Sequence, residues 1–192
     1  SDVCSSDLGD DREALHGTTI LGIPVVAPRE RVVEFARQNS ANSVIIGIGH
    51  NATRAQVADW FVERGFALEK AVHPTCILGE GVTIEAGTVV MAGAIINSDS
   101  HFGSNTIVNT GARIDHDCVI GNNVHVAPGV TLCGGVKVGD HCLIGAGAVV
   151  LPYLSVADSA TVGAGSTVSH SVNSGELVVG IRAKPVKHRS GA

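Results

Sequence analysis

From Val72 onward, apolar residues recur at every sixth position. The series Val72, Leu78, Ile84, Val90, Ile96, Phe102, Val108 and Ile114 runs on without a slip to Val168, seventeen residues in all. Four positions after each of these stands a small or apolar residue, as at Cys76, Ala94, Cys118, Val124 and Ser166. Glycine often follows the aliphatic directly, as at Gly79, Gly103, Gly121, Gly139, Gly145 and Gly163. A period of six suits neither a lone α-helix nor an alternating hairpin, but it is the hexapeptide repeat of a parallel β-helix. Each six-residue rung forms one side of a triangular prism, so seventeen rungs predict nearly six coils. The aliphatic and the small residue face inward, and turn residues occupy the corners. At ~4.8 Å per stacked strand the prism is roughly 27 Å long. Prisms of this kind are built from left-handed coils, against the usual crossover preference, and the same hand is expected here.

Before residue 72 the pattern changes. Val44-Ile45-Ile46-Gly47-Ile48-Gly49 predicts a buried strand running into a glycine turn, and 51–64 predicts a helix with Asn51 as its N-cap. A further helix is predicted over 28–38 and a closing strand over 66–72. Strand, turn and helix in this order predict an α/β unit with a parallel sheet over 9–71, small for a complete one. Residues 1–8 carry neither period nor core pattern and read as a leader foreign to the domain. The prism is expected over 72–173 and a tail over 174–192.

Composition agrees with a prism core. The chain has 24 Gly but only four Phe, one Trp and one Tyr among 192 residues, with 44% hydrophobic residues, so stacked aliphatics and not aromatics fill the interior. A net charge of −5 disfavours nucleic-acid binding through a broad basic surface. Five Cys without a CxxC pair favour reduced thiols in a cytoplasmic protein over a disulfide framework. No uninterrupted apolar stretch is long enough for membrane insertion, and no signal peptide is visible.

Candidate chemistry begins with His116, flanked by Asp115 and Asp117 and predicted to face outward. A histidine oriented by a carboxylate can serve as a general base near neutral pH. His125 lies nine residues on and around a corner, so the two should not meet within one prism; this separation favours a site shared between prisms. Stacking on adjacent coils requires spacings near 18, and the separations among His101, His116, His125 and His141 are 15, 9 and 16, so no metal site is expected. Cys76, Cys118 and Cys142 fall on inward positions and read as small core residues. Gly47-Ile48-Gly49-His50-Asn51 before a helix could set backbone N–H groups, helped by Arg54, against a diphosphate; an ordinary strand-helix turn is the other reading. Lys184, Lys187 and Arg189 form a local basic cluster that could grip an anionic ligand.

The segments NTGARIDHDCVIGNNVH (109–125) and VIIGIGHNATR (44–54), with HGTTILGIPV (16–25), resemble the sugar O- or N-acyltransferases of the sialic acid O-acetyltransferase (NeuD) type, over about 17–181. The resemblance implies a homotrimer that transfers acetyl from acetyl-CoA to a sugar or nucleotide-linked amino sugar held by a Rossmann-like α/β N-terminal domain, incomplete here. It implies His116 as catalytic base supported by Asp117, His125 at the thioester end of acetyl-CoA, and Asn109 at the acceptor. Ala146 and Ala164 would give coenzyme contacts through their backbone, with Lys184 beside the coenzyme's anionic end. Gly47, Gly49, Asn51 and Arg54 would meet the nucleotide sugar. Two departures stand out: nothing like the family's opening strand and Gly-rich turn precedes Gly17, and Arg182 stands where the family usually has Pro. An acetyltransferase for a free metabolite such as serine, or a non-catalytic trimeric scaffold, would use the same prism; only the enzymes need His116.

Overall fold

A computed structural model describes residues 8–180, which fall into two compact units, 1–43 and 44–192. In the first unit a two-residue strand, Leu8–Gly9, runs parallel to Ile23–Ala27, and Thr19–Ile20 pairs antiparallel with it, so the small sheet is mixed rather than parallel. The helix α1, Arg29–Gln38, begins one residue after the predicted start, with Pro28 as its N-cap, and buries Val33 and Ala36.

In the second unit every predicted aliphatic from Val72 to Val168 is the second residue of a two-residue strand. The strands stack into three parallel sheets of a left-handed β-helix. Counting the strand that holds Arg113–Ile114 as part of the first sheet, the second holds Val119–Ile120 and the third His125–Val126; their strand numbers are six, five and seven. Register is strict, with Ile95 facing Arg113 and Arg113 facing Thr131, eighteen residues per coil. The interior is a column of Ile96, Ile114, Leu132, Val150 and their counterparts on the other sheets, interleaved with Ala94, Ala112, Cys118, Cys142 and Ala160, all essentially buried. Phe102 is the aromatic of this core. Burying branched aliphatics at ~25 cal/mol per Å² of apolar surface makes the column the main source of stability.

Two boundaries differ from the sequence reading. The third sheet gains a last strand, Leu177–Val178, paired with Thr161–Val162, beyond the expected end at 173. Residues 44–68 pack on the prism instead of grouping with 9–43, and a two-residue strand at Ala67–Leu68 precedes the first rung. Helix α2, Asn51–Val62, is capped by His50, whose Nδ1 accepts from the Thr53 N–H, so Asn51 is the first helical residue and not the cap.

Candidate active site

The chain turns three corners per coil, and from Gly81 to Gly165 the third residue of each corner is left-handed. Glycine fills many of these places, but Asp117 takes one with φ +58, a conformation that Asp and Asn tolerate better than most residues. This backbone sets the Asp117 carboxylate beside His116, the residue before it, and Oδ2 lies 2.7 Å from His116 Nδ1. An ionised carboxylate can only accept, so Nδ1 carries the proton and Nε2 offers its lone pair. Asp115 fixes the start of the corner, its Oδ1 accepting from the His116 N–H at 2.9 Å and from Asn97 Nδ2 of the preceding coil at 2.9 Å. The Asp117 hydrogen bond, followed by the negative charge of Asp115, raises the His116 pKa above the ordinary histidine value. Both side chains of the pair are open, at 51% and 65% exposure, so a reactant can reach Nε2.

One coil further on, Gly134 lies under the imidazole: a Cβ there would sit 2.8 Å from both Cε1 and Nε2. Gly134 is buried, and its backbone N–H donates to no group among the described residues. Sequence reasoning passed over this glycine, although it stands eighteen residues after His116.

His125 projects from the third sheet, and the second sheet separates it from His116 along the chain. Its Nε2 lies 3.1 Å from Asn109 Nδ2, and its Nδ1 lies 3.1 Å from the Gly49 carbonyl oxygen. The proton positions follow from the partners. The Thr110 N–H donates to Asn109 Oδ1, which turns the Asn109 amide nitrogen toward His125, and the Gly49 carbonyl can only accept. His125 is therefore neutral, with the proton on Nδ1 and Nε2 accepting from Asn109. Burial, the largest influence, lowers its pKa. Asn109 and His125, expected at the acceptor and at the thioester, are one hydrogen-bonded unit.

Ala146 and Ala164 stack at the corner between the third and first sheets. Both are exposed, and neither backbone N–H has an acceptor among the described residues. The Ala146 carbonyl accepts from the Gly165 N–H, which fixes the stack. Lys184 and the rest of the basic cluster lie outside the described residues. Among the described residues no group of three His, Cys, Asp or Glu could hold a metal ion, and no helix is long and apolar enough to cross a membrane.

The turn before α2 corrects two expectations. Arg54 is 1% exposed, and its donors are taken up: Nε by the Asn105 carbonyl at 2.9 Å, Nη1 by Ile48 and Gly49, Nη2 by Asn51 Oδ1, Asn123 and Val124. A guanidinium with five N–H groups has none left for a diphosphate. The Asn51 side chain also faces the prism, donating to the carbonyls of His141 and Cys142. Gly47 and Gly49 remain exposed, with open space around Gly47.

A prism of hexapeptide rungs carrying an open histidine-carboxylate pair on one corner defines a class, the β-helix acyltransferases. The family "Bacterial transferase hexapeptide (six repeats)" matches residues 99–134 and 117–152, and "Hexapeptide repeat of succinyl-transferase" matches 135–170. Among solved structures, a variant of perosamine N-acetyltransferase from Caulobacter crescentus, in complex with CoA and GDP-perosamine, is 34% identical with a TM-score of 0.81, over 86% of this chain and 79% of that one. The acetyltransferase domain of PglB from Neisseria gonorrhoeae is 31% identical with a TM-score of 0.84, over 94% and 86%, and a further structure of it contains acetyl coenzyme A. WeeI from Acinetobacter baumannii is 28% identical with a TM-score of 0.82, over 91% and 82%. A search of curated proteins finds no match. The chain belongs to the hexapeptide-repeat transferase family.

Proposed function

We propose that this protein transfers the acetyl group of acetyl-CoA to the amine of a nucleotide-linked amino sugar. The observation that carries the reading is the open His116–Asp117 pair, with Nδ1 protonated and Nε2 free. Support for the substrate class comes from the perosamine N-acetyltransferase, solved with CoA and GDP-perosamine. The finer assignment to the sialic acid O-acetyltransferase type has less behind it, since the perosamine enzyme is described as an N-acetyltransferase and the PglB structure as an acetyltransferase domain.

In the proposed reaction His116 Nε2 takes the proton of the acceptor amine as the nitrogen attacks the thioester carbonyl. The C–N bond forms, the C–S bond breaks, and the imidazolium returns the proton to the leaving thiolate. Asp117 holds the ring and stabilises its charged form. Negative charge developing on the thioester oxygen needs a donor from a neighbouring rung, and the Gly134 N–H is a candidate, because a buried N–H without an acceptor is costly until something accepts from it. No covalent enzyme intermediate is required.

The coenzyme arm would run along the Ala146–Ala164 corner, and the sugar nucleotide would meet the exposed Gly47–Gly49 turn. His116 stands on a different corner from Ala146 and Ala164, so one chain does not bring base and coenzyme corner together. A homotrimer, in which a corner of one prism meets a different corner of the next, would complete the site. Light scattering should give three times 19.6 kDa, about 59 kDa; a clean monomer would contradict the shared site.

Asp117→Asn tests the base. Losing the carboxylate removes the largest influence raising the His116 pKa, so the acid limb of the kcat/KM profile should move to lower pH while the plateau falls, by about tenfold. An acid limb that stays in place would remove Asp117 from support of the base.

A further inference from the structure

We infer that Gly134 is a positioning residue for His116: the absence of a side chain at this place makes the room in which the imidazole lies. Its corner carries, at the same middle place on the other coils, Glu80, Ser98, His116, Pro152 and His170, so the backbone there does not call for glycine. Gly134 itself is outside the left-handed region, unlike its neighbour Gly135 at φ +68, whose backbone accounts for it. What singles out position 134 is the ring above it. A Cβ would come to 2.8 Å from Cε1 and Nε2 and 3.4 Å from Cδ2, nearer than packed atoms approach.

The obstacle is the end of a side chain. At Gly145, by contrast, a Cβ would meet the Ala164 backbone nitrogen at 2.5 Å, and the coil itself would have to move. At Gly134 the imidazole would swing aside and the coil stay. The ring is then held between two restraints: Asp117 Oδ2 on Nδ1, and the flat glycine under the Cε1–Nε2 edge. The edge against the glycine is the one that carries the reactive nitrogen.

The inference rests on His116 being the base, and its test separates the two. In Gly134→Ala the backbone N–H is kept, so any loss comes from the methyl group. Turnover should fall about 10–100-fold with KM for acetyl-CoA within about twofold, as expected for a misplaced base. The His116 imidazole, read by NMR in the unliganded protein and assigned by its disappearance in His116→Ala, should titrate closer to the ordinary histidine value as it leaves Asp117. Wild-type turnover together with an unchanged titration overturns the inference. If Gly134→Ala fails to fold, the double variant His116→Ala/Gly134→Ala decides: recovery of the fold supports the conflict with the ring, and continued failure overturns it. Full activity in His116→Ala alone would overturn the base, whereas the titration would still report whether Gly134 places the ring.

Discussion

Replacing His116 by alanine should lower turnover about 10²–10⁴-fold and leave the fold as it is. The two halves of this expectation have separate causes. The ring is half exposed on a corner and contributes little to the core, which is carried by Ile114 beside it and the aliphatics stacked on Ile114. In the proposed reaction, by contrast, Nε2 is the proton acceptor, on a ring whose tautomer the Asp117 carboxylate fixes. The variant should keep its melting point and its affinity for acetyl-CoA, since the stacked Ala146 and Ala164 corner is untouched. Release of free coenzyme A at the wild-type rate would remove His116 from the mechanism.

The largest effect on stability is expected at Arg54. Its charge is buried without a carboxylate and is stabilised by five backbone carbonyls and the Asn51 side-chain oxygen, which belong to three separate stretches of chain: 48–51, 105 and 123–124. Burial lowers its pKa to about 10, so the group stays charged at neutral pH. Arg54→Met keeps much of the volume but takes the donor from the carbonyls of Ile48, Asn105 and Asn123 and from Asn51 Oδ1, while Gly49 keeps His125 Nδ1 and Val124 keeps the Ile107 N–H; each buried acceptor left without a donor costs about 1–3 kcal/mol unless water reaches it. A loss of about 3–5 kcal/mol is expected, a large share of an ordinary domain's stability. Arg54→Lys should not rescue, because one ammonium with three donors cannot span the acceptors of a planar fork. Urea unfolding at the wild-type midpoint in Arg54→Met would contradict this role.

Much of the prism was legible because its chemistry is periodic. An inward position recurs every six residues, and each coil repeats the environment of the last, so Val72 through Val168 mark the strands one by one. The reading stopped early at the C-terminal end because the last coil is short: Val162 pairs with Val178, sixteen residues away, where eighteen is the rule. The helices were legible in outline, over 28–38 and 51–64, but the cap of α2 was not, since His50 and Asn51 both offer an acceptor and only the backbone decides which is used.

The site was legible in part. The His116–Asp117 pair is adjacent in sequence, and its geometry follows from the left-handed corner. Arg54 misled for a general reason: sequence cannot distinguish a guanidinium aimed at a ligand from one aimed at carbonyls 51–70 residues away. Asn109 and His125 are sixteen residues apart, off the stacking period, yet a side chain on a sheet reaches one on the neighbouring corner. Gly134 drew no reading from the sequence, because only the ring lying over it gives it a meaning separate from its neighbour Gly135.

Acetyl transfer to the amine of a nucleotide-linked amino sugar is tested most directly by thiol release from acetyl-CoA with a panel of acceptors. The panel should hold nucleotide-linked amino sugars, the same nucleotide sugars with hydroxyl in place of amine, and free serine. Coenzyme A release should depend on a nucleotide-linked amino sugar, with the acetyl group found on its nitrogen by mass spectrometry. Release with serine but with none of the nucleotide sugars would contradict this reading in favour of a small-metabolite acetyltransferase, and no release with any acceptor would leave the prism a scaffold.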